Sequence, residues 1–176
     1  IFYSYKKINP LTQECNNLNY TTNVFKKKVI KNLFDNNFCK KIIDESEEYA
    51  EKNGWKRDRH DMYQTTDNEI NPSWKIFEKT KDKVYNNIFN EISELFNIDK
   101  QDLLVGEVFI VKYDMNNQKS LDYHRDGSQF SFIITLNEDF EGGGTKFSYE
   151  DKIYKLNQGD CLIFNGKNKH CGVNIT

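Results

Sequence analysis

Only three histidines occur in this chain of 176 residues: His60, His124 and His170. Two of them stand where metal chemistry could use them. His124-Arg125-Asp126 lies just before a strand-like run. Residues i and i+2 of a strand point to one face, so His124 and Asp126 could hold one ion together. His170 follows Asp126 by 44 residues, beyond a Gly-rich turn and the run Cys161–Phe164. In an antiparallel sandwich that is enough chain to return to the same place. Two neutral imidazoles and one carboxylate on one side of an ion leave about three positions open, the donor set of non-heme Fe(II) sites. A bare His-x-Asp is common, however, and the three residues alone do not distinguish a metal site from ordinary surface or core roles.

The elements that would position them read as helices first and strands after. Asp35 is placed as an N-cap, and Phe38, Ile42, Ile43, Tyr49 and Ala50 follow at helical spacing as far as Gly54. Residues 55–70 read as a loop with extended pieces. Pro72 suits the first turn of a second helix, whose stripe of Trp74, Phe77, Val84, Ile88, Ile92, Leu95 and Phe96 faces a core. From Leu103 short strands take over: 105–111, 130–136, 146–149, 152–156 and 161–164, separated by Gly142-Gly143-Gly144, Glu150-Asp151 and Gln158-Gly159-Asp160. Helices followed by a run of strands indicate an α+β domain with helices packed on a jelly roll.

Composition narrows the function classes. With 25 basic and 27 acidic residues the net charge is −2, which gives no support for a general polyanion binder. No apolar run reaches the roughly 18 residues of a membrane span. Lys outnumbers Arg 22 to 3, Asn occurs 22 times and Ala once, the usage of an AT-rich genome. No pair among Cys15, Cys39, Cys161 and Cys171 has Cys-x-x-Cys spacing, so free buried thiols are expected, with one disulfide as the alternative.

A wider set of residues carries a resemblance. Val111-Lys112-Tyr113, Ser120-Leu121, His124-Arg125-Asp126, Ser128, Phe130, Leu136-Asn137, Glu141-Gly142-Gly143-Gly144-Thr145-Lys146-Phe147, Gly159-Asp160 and His170 together resemble the catalytic domain of Fe(II)/2-oxoglutarate dioxygenases. The eleven-residue step from Tyr113 to His124 and the phrase Asp139-Phe140-Glu141-Gly142-Gly143-Gly144 look most like the procollagen lysyl hydroxylase branch and its prolyl hydroxylase-like relatives. Tyr63-Gln64-Thr65-Thr66-Asp67 is similar to a segment that the family carries before its main helix.

The resemblance implies a double-stranded β-helix (jelly roll) with N-terminal supporting helices, one catalytic domain over 1–176, helical support at about 34–97 and a core at about 103–176. It implies His124, Asp126 and His170 as catalytic iron ligands, and Tyr113 and Thr135 as residues of the cosubstrate pocket. Fe(II), 2-oxoglutarate and O2 are the implied cofactors, with ascorbate as an optional addition. The family's basic anchor for the distal carboxylate of 2-oxoglutarate is expected on a strand beyond Thr176. The expected activity is hydroxylation of a protein or peptide side chain, lysine first and proline second. The alternatives are oxidation of a small molecule or nucleobase, and a non-catalytic jelly-roll binding module. A protein or peptide partner is expected and nucleic acid is not. The oligomeric state is left open, and the endoplasmic reticulum lumen would follow only for a true lysyl hydroxylase relative.

Overall fold

The computed structural model describes residues 2–6, 25–60 and 63–176, the first of these as a backbone path. Two antiparallel sheets and a set of helices make up the described fold. The larger sheet has the order β2-β9-β6-β1-β4-β3, formed by β2 (Lys27–Ile30), β9 (Cys161–Asn165), β6 (Phe130–Ile134), β1 (Phe2–Lys6), β4 (Leu103–Val111) and β3 (Asp67–Glu69). The smaller has the order β5-β10-β7-β8, formed by β5 (Leu121–His124), β10 (His170–Gly172), β7 (Thr145–Phe147) and β8 (Ile153–Tyr154).

The helices form where the periodicity places them, with one shift. Helix α1 spans Asn36–Asn53; Asp35 caps it by accepting from the Phe38 amide at 2.8 Å, and Gly54 ends it at φ +73°. The second helix starts at Phe77, and Pro72 lies in the turn before it rather than in its first turn. It runs as α2 (Phe77–Lys83), a π-helical stretch (Val84–Ile88) and α3 (Phe89–Phe96), and Asn97 closes it in the left-handed region. Trp74 is still a core residue, packed on Tyr49 with ring centroids 5.6 Å apart.

The large sheet is covered on both faces, and this explains its sequence. In β6, Phe130, Phe132 and Ile134 join the helix-side core with Phe38, Ile42, Ile88 and Ile92. Ile133, together with Leu162 and Phe164 of β9, joins a second cluster around Phe147 of the small sheet. Every residue of β9 is buried, and Cys161–Phe164 reads as an unbroken apolar run instead of an alternation. Cys39 and Cys161 are free buried thiols as expected, whereas Cys171 is only half-buried, because β10 turns it away from the core; Cys15 lies outside the described residues.

One buried carboxylate ties the turn between β2 and α1 to the turn before β9. Asp160 accepts from Lys31 Nζ at 2.6 Å and from the amides of Asn32 at 3.0 Å and Asn157 at 3.1 Å. Burial raises its carboxyl, but the Lys31 bond and the two amides outweigh that and hold it below its ordinary value. Asp160→Ala strands two amide donors and should lower stability by about 2–3 kcal/mol near neutral pH. A depressed carboxylate contributes fully above its ordinary value of 3.8 and loses its contribution as the pH falls through the native value. Melts of the two proteins should therefore converge towards acid; a gap that persists there would show that Asp160 acts without its charge.

Candidate metal centre

His124 is the last residue of β5 and His170 the first of β10, and the two are paired across the small sheet. Asp126 is not on a strand, so the shared-face argument from spacing does not describe it. It sits two residues beyond β5, where its amide donates to the Gly166 carbonyl at 2.8 Å and carries the chain on towards β6. Nevertheless the three side chains converge. His124 Nε2 lies 3.4 Å and His170 Nε2 3.7 Å from Asp126 Oδ1, and one ligand atom from each residue falls within 4.8 Å of the others.

The hydrogen bonds behind these atoms orient them. His124 Nδ1 is 2.8 Å from the Asp122 carbonyl, and His170 Nδ1 is 2.8 Å from the Asn168 carbonyl. A neutral imidazole makes that bond with its proton on Nδ1, which leaves the Nε2 lone pair free for an ion. Burial pushes His170 below its ordinary value, against the pull of Asp126, so the neutral ring is favoured. Burial also opposes the charge on Asp126, but the contacts with His124 and Ser131 and the nearness of His170 outweigh it, and the net shift is downward. Two neutral nitrogens and one carboxylate, each held from behind, fit a divalent first-row ion.

The spacing argument did not reach the residues that hold Asp126. Ser131 Oγ donates to Asp126 Oδ2, and Ser128 Oγ sits 2.9 Å from Ser131 Oγ. Oδ2 is thereby engaged while Oδ1 faces both imidazoles. Gly166 makes room for this, since a Cβ there would come within 2.6 Å of Ser131 Oγ and 2.7 Å of the Ser128 carbonyl. The signal was present in the sequence as the one polar residue inside the apolar run of β6.

A cavity of about 420 Å³ opens beside the triad, and His124, His170, Tyr113 and Thr135 all line it. Tyr113 is half-buried, and burial pushes its phenol pKa up. Its hydroxyl occupies space that a Cβ on Gly172 would enter, at 2.7 Å. Thr135 follows Ile134 on the cavity side of β6, with its backbone bonded to Gly159 and Asp160. The segment before β3 packs against the triad. Tyr63 lies on His124 with centroids 4.3 Å apart and stacks on His60 at 5.2 Å. His60 Nε2 is 3.6 Å from the buried Asp67, which Arg59 Nε also meets at 3.2 Å. His60 thus backs the residue that covers a triad histidine, and is not brought into the triad. Trp55 packs at the edge of the helix-side core, and Gly142, Gly143 and Gly144 all take positive φ as turn residues.

Ser131→Ala should leave the fold intact and weaken binding of Co(II) to the triad about 10–100-fold, a loss typical of removing an outer hydrogen bond. His124→Ala or Asp126→Ala should abolish it. Unchanged titration of the Co(II) visible spectrum in Ser131→Ala would show that Asp126 needs no such support.

No family profile matches the chain. It is 41% identical over 66 residues to human procollagen-lysine,2-oxoglutarate 5-dioxygenase 2, and equally to the mouse protein; the match covers 35% of this chain and 9% of theirs. Among solved structures it is similar to the collagen prolyl hydroxylase of Paramecium bursaria Chlorella virus-1 in its 2-oxoglutarate complex. The TM-score there is 0.64 at 14% identity, over 85% of this chain and 88% of that one. A Pseudomonas putida prolyl-4-hydroxylase matches with a TM-score of 0.61 at 14% identity, over 89% of each chain. The chain therefore has the mixed helix-and-strand fold of these prolyl hydroxylases and shares a stretch of sequence with a 2-oxoglutarate-dependent lysyl dioxygenase.

Proposed function

We propose that this chain is an Fe(II)- and 2-oxoglutarate-dependent dioxygenase, built as a double-stranded β-helix, that hydroxylates a side chain of a protein or peptide. The observation that carries the reading is the convergence of His124, Asp126 and His170 at a cavity that Tyr113 and Thr135 also line. With both groups bound, such a site couples oxidative decarboxylation of the keto acid by O2 to hydroxylation of a C–H bond. The chain's own part is placement. Nε2 of each histidine and Oδ1 of Asp126 would hold the ion. The Tyr113 hydroxyl, which has no hydrogen-bond partner among the described residues, would donate to a cosubstrate oxygen. Thr135 would offer a second hydroxyl from the end of β6 in the same sheet. Ile133, Leu136 and Phe109 give the cavity apolar walls that exclude water.

Proline is the target that the likeness over most of the chain supports, and lysine the one that the short sequence match supports. An acidic group near the triad would favour lysine. Glu138, Asp139 and Glu141 lie on the β6–β7 connection. The strand register puts that connection at the far end of the cavity, since Thr145 pairs with Gly172 and Phe147 with His170. Asp122 alone shares a strand with a triad residue.

The test is succinate release from 2-oxoglutarate with Fe(II), O2 and ascorbate, with and without Pro- and Lys-containing peptides read for the mass of one added oxygen atom. Coupled turnover on a peptide is expected. Tyr113→Phe should raise the KM for 2-oxoglutarate about fivefold with little change in kcat, the effect of about 1 kcal/mol of uniform binding. No succinate under any condition would reject the enzyme reading, and turnover without peptide oxidation would shift it towards a small molecule.

A further inference from the structure

The charges of this chain are not spread evenly about the cavity. The register that pairs His124 with His170, His170 with Phe147 and Phe130 with Asn165 sends three connections out at the triad end: 125–129, 148–152 and 166–169. They carry Arg125, Lys152, Lys167 and Lys169. Their acidic residues, Asp126 aside, are already engaged: Glu150 with Lys27 at 3.0 Å and Asp151 with Lys146 at 3.4 Å. Arg125 Nη1 donates to the Lys167 carbonyl, and Lys167 Nζ donates to the carbonyls of Asp126 at 2.9 Å and Gly127 at 2.8 Å. Lys169 Nζ lies 5.9 Å from the centre of the exposed Tyr123 ring. Arg125, Lys167 and Lys169 are exposed and have no carboxylate partner among the described residues. Carbonyl bonds and a ring face fix an ammonium without neutralising it, so three positive charges remain within three residues of a triad ligand.

Arg57 and Arg59 lie in the segment that lays Tyr63 over His124, although Arg59 is taken up by Asp67 and Glu107. The other end of the cavity lining is of mixed charge, with Asp114 and Asp139 as well as Lys155. The net charge of −2 conceals the positive rim at the triad end.

We propose that the triad end is a docking rim for an acidic peptide, with Asp or Glu side chains near the target residue pairing with Arg125, Lys167 and Lys169. The proposal rests on the peptide-hydroxylase reading and names its substrate class. A guanidinium accepts a carboxylate in two parallel bonds, whereas Lys167 and Lys169 act as point charges. Such rim charges select by encounter and by repulsion, so an approaching lysine is disfavoured at the same place.

The experiment uses one proline-containing peptide in three forms, flanked by Glu, Gln or Lys. Binding is read by fluorescence anisotropy on the Co(II)-loaded protein, and turnover by succinate release on the Fe(II)-loaded protein. The expected order of affinity is Glu, Gln, Lys, spanning about tenfold at about 50 mM salt and shrinking towards unity at about 500 mM, as screening shortens. Lys169→Glu alone should compress the order, and Arg125→Glu with Lys169→Glu should invert it. Equal binding of the three forms, or an order that ignores salt, overturns the proposal, as does a single-stranded oligonucleotide that binds more tightly than the Glu form and displaces it. The Glu-first order without turnover of any peptide keeps the rim and rejects the hydroxylase reading; turnover without that order does the reverse.

Discussion

Burial of one carboxylate governs this site. Asp126 is 3% exposed and lies between two imidazoles, so both of its oxygens need partners that the protein itself provides. Ser131 takes one oxygen, and the histidines face the other. Much of the local sequence follows from that. Position 131 must be a small hydroxyl on a strand that is otherwise apolar. Position 166 must lack a side chain, because the Ser128–Ser131 pair fills the space above it. Both imidazoles must keep their protons on the far nitrogen, and the Asp122 and Asn168 carbonyls hold them there. An ion would complete the arrangement by neutralising a charge that is already in place, so little reorganisation accompanies binding.

The rigidity that such a site needs comes from the large sheet. Residues of β6 alternate between two cores. Phe130, Phe132 and Ile134 are locked under the helices, and the alternate residues thereby face the other way, Ser131 onto Asp126 and Ile133 and Thr135 onto the cavity. The helices thus do more than cover apolar surface, since their packing against one side of β6 sets the register of the polar groups on the other. A slip by one residue would turn Ser131 into the helix-side core and bring a phenylalanine against Asp126. The edges are closed by a different device. Lys27, on the outermost strand of the large sheet, places its ammonium 5.0 Å from the Phe147 ring and 4.8 Å from the Tyr149 ring of the small sheet.

Some of this was legible in the residues and some was not, for separable reasons. The Asp35 cap, the Gly54 stop and the stripe from Phe77 to Phe96 are local signals, and local signals survive folding. Pro72 misled because a proline fits a turn as readily as a first helical turn, and Trp74 reaches the core from either. Strands β5 and β10 are short and carry the histidines at their ends, so neither shows an alternation that could be counted. The triad was visible as spacing and resemblance, but the reason first given for Asp126 was wrong: a loop bonded to Gly166, rather than a shared strand face, brings it in. Ser131 and Gly166 have meaning only through contacts between β6, the loop after β5 and the turn after β9, and no window of sequence contains all three.

The connections at the triad end bear on what the chain selects. A triad held by buried hydrogen bonds tolerates little variation, and it does not by itself discriminate among substrates. Discrimination falls to the exposed connections, which the sheets fix in position without dictating their side chains. Here those connections carry positive charge at the triad end, although the whole chain is nearly neutral. Because Lys167 anchors the Asp126 and Gly127 carbonyls, the rim and the metal loop share a residue. A ligand that draws on Lys167 therefore also acts on the loop that carries Asp126. Docking at the rim and order at the metal are in this way linked through a single side chain.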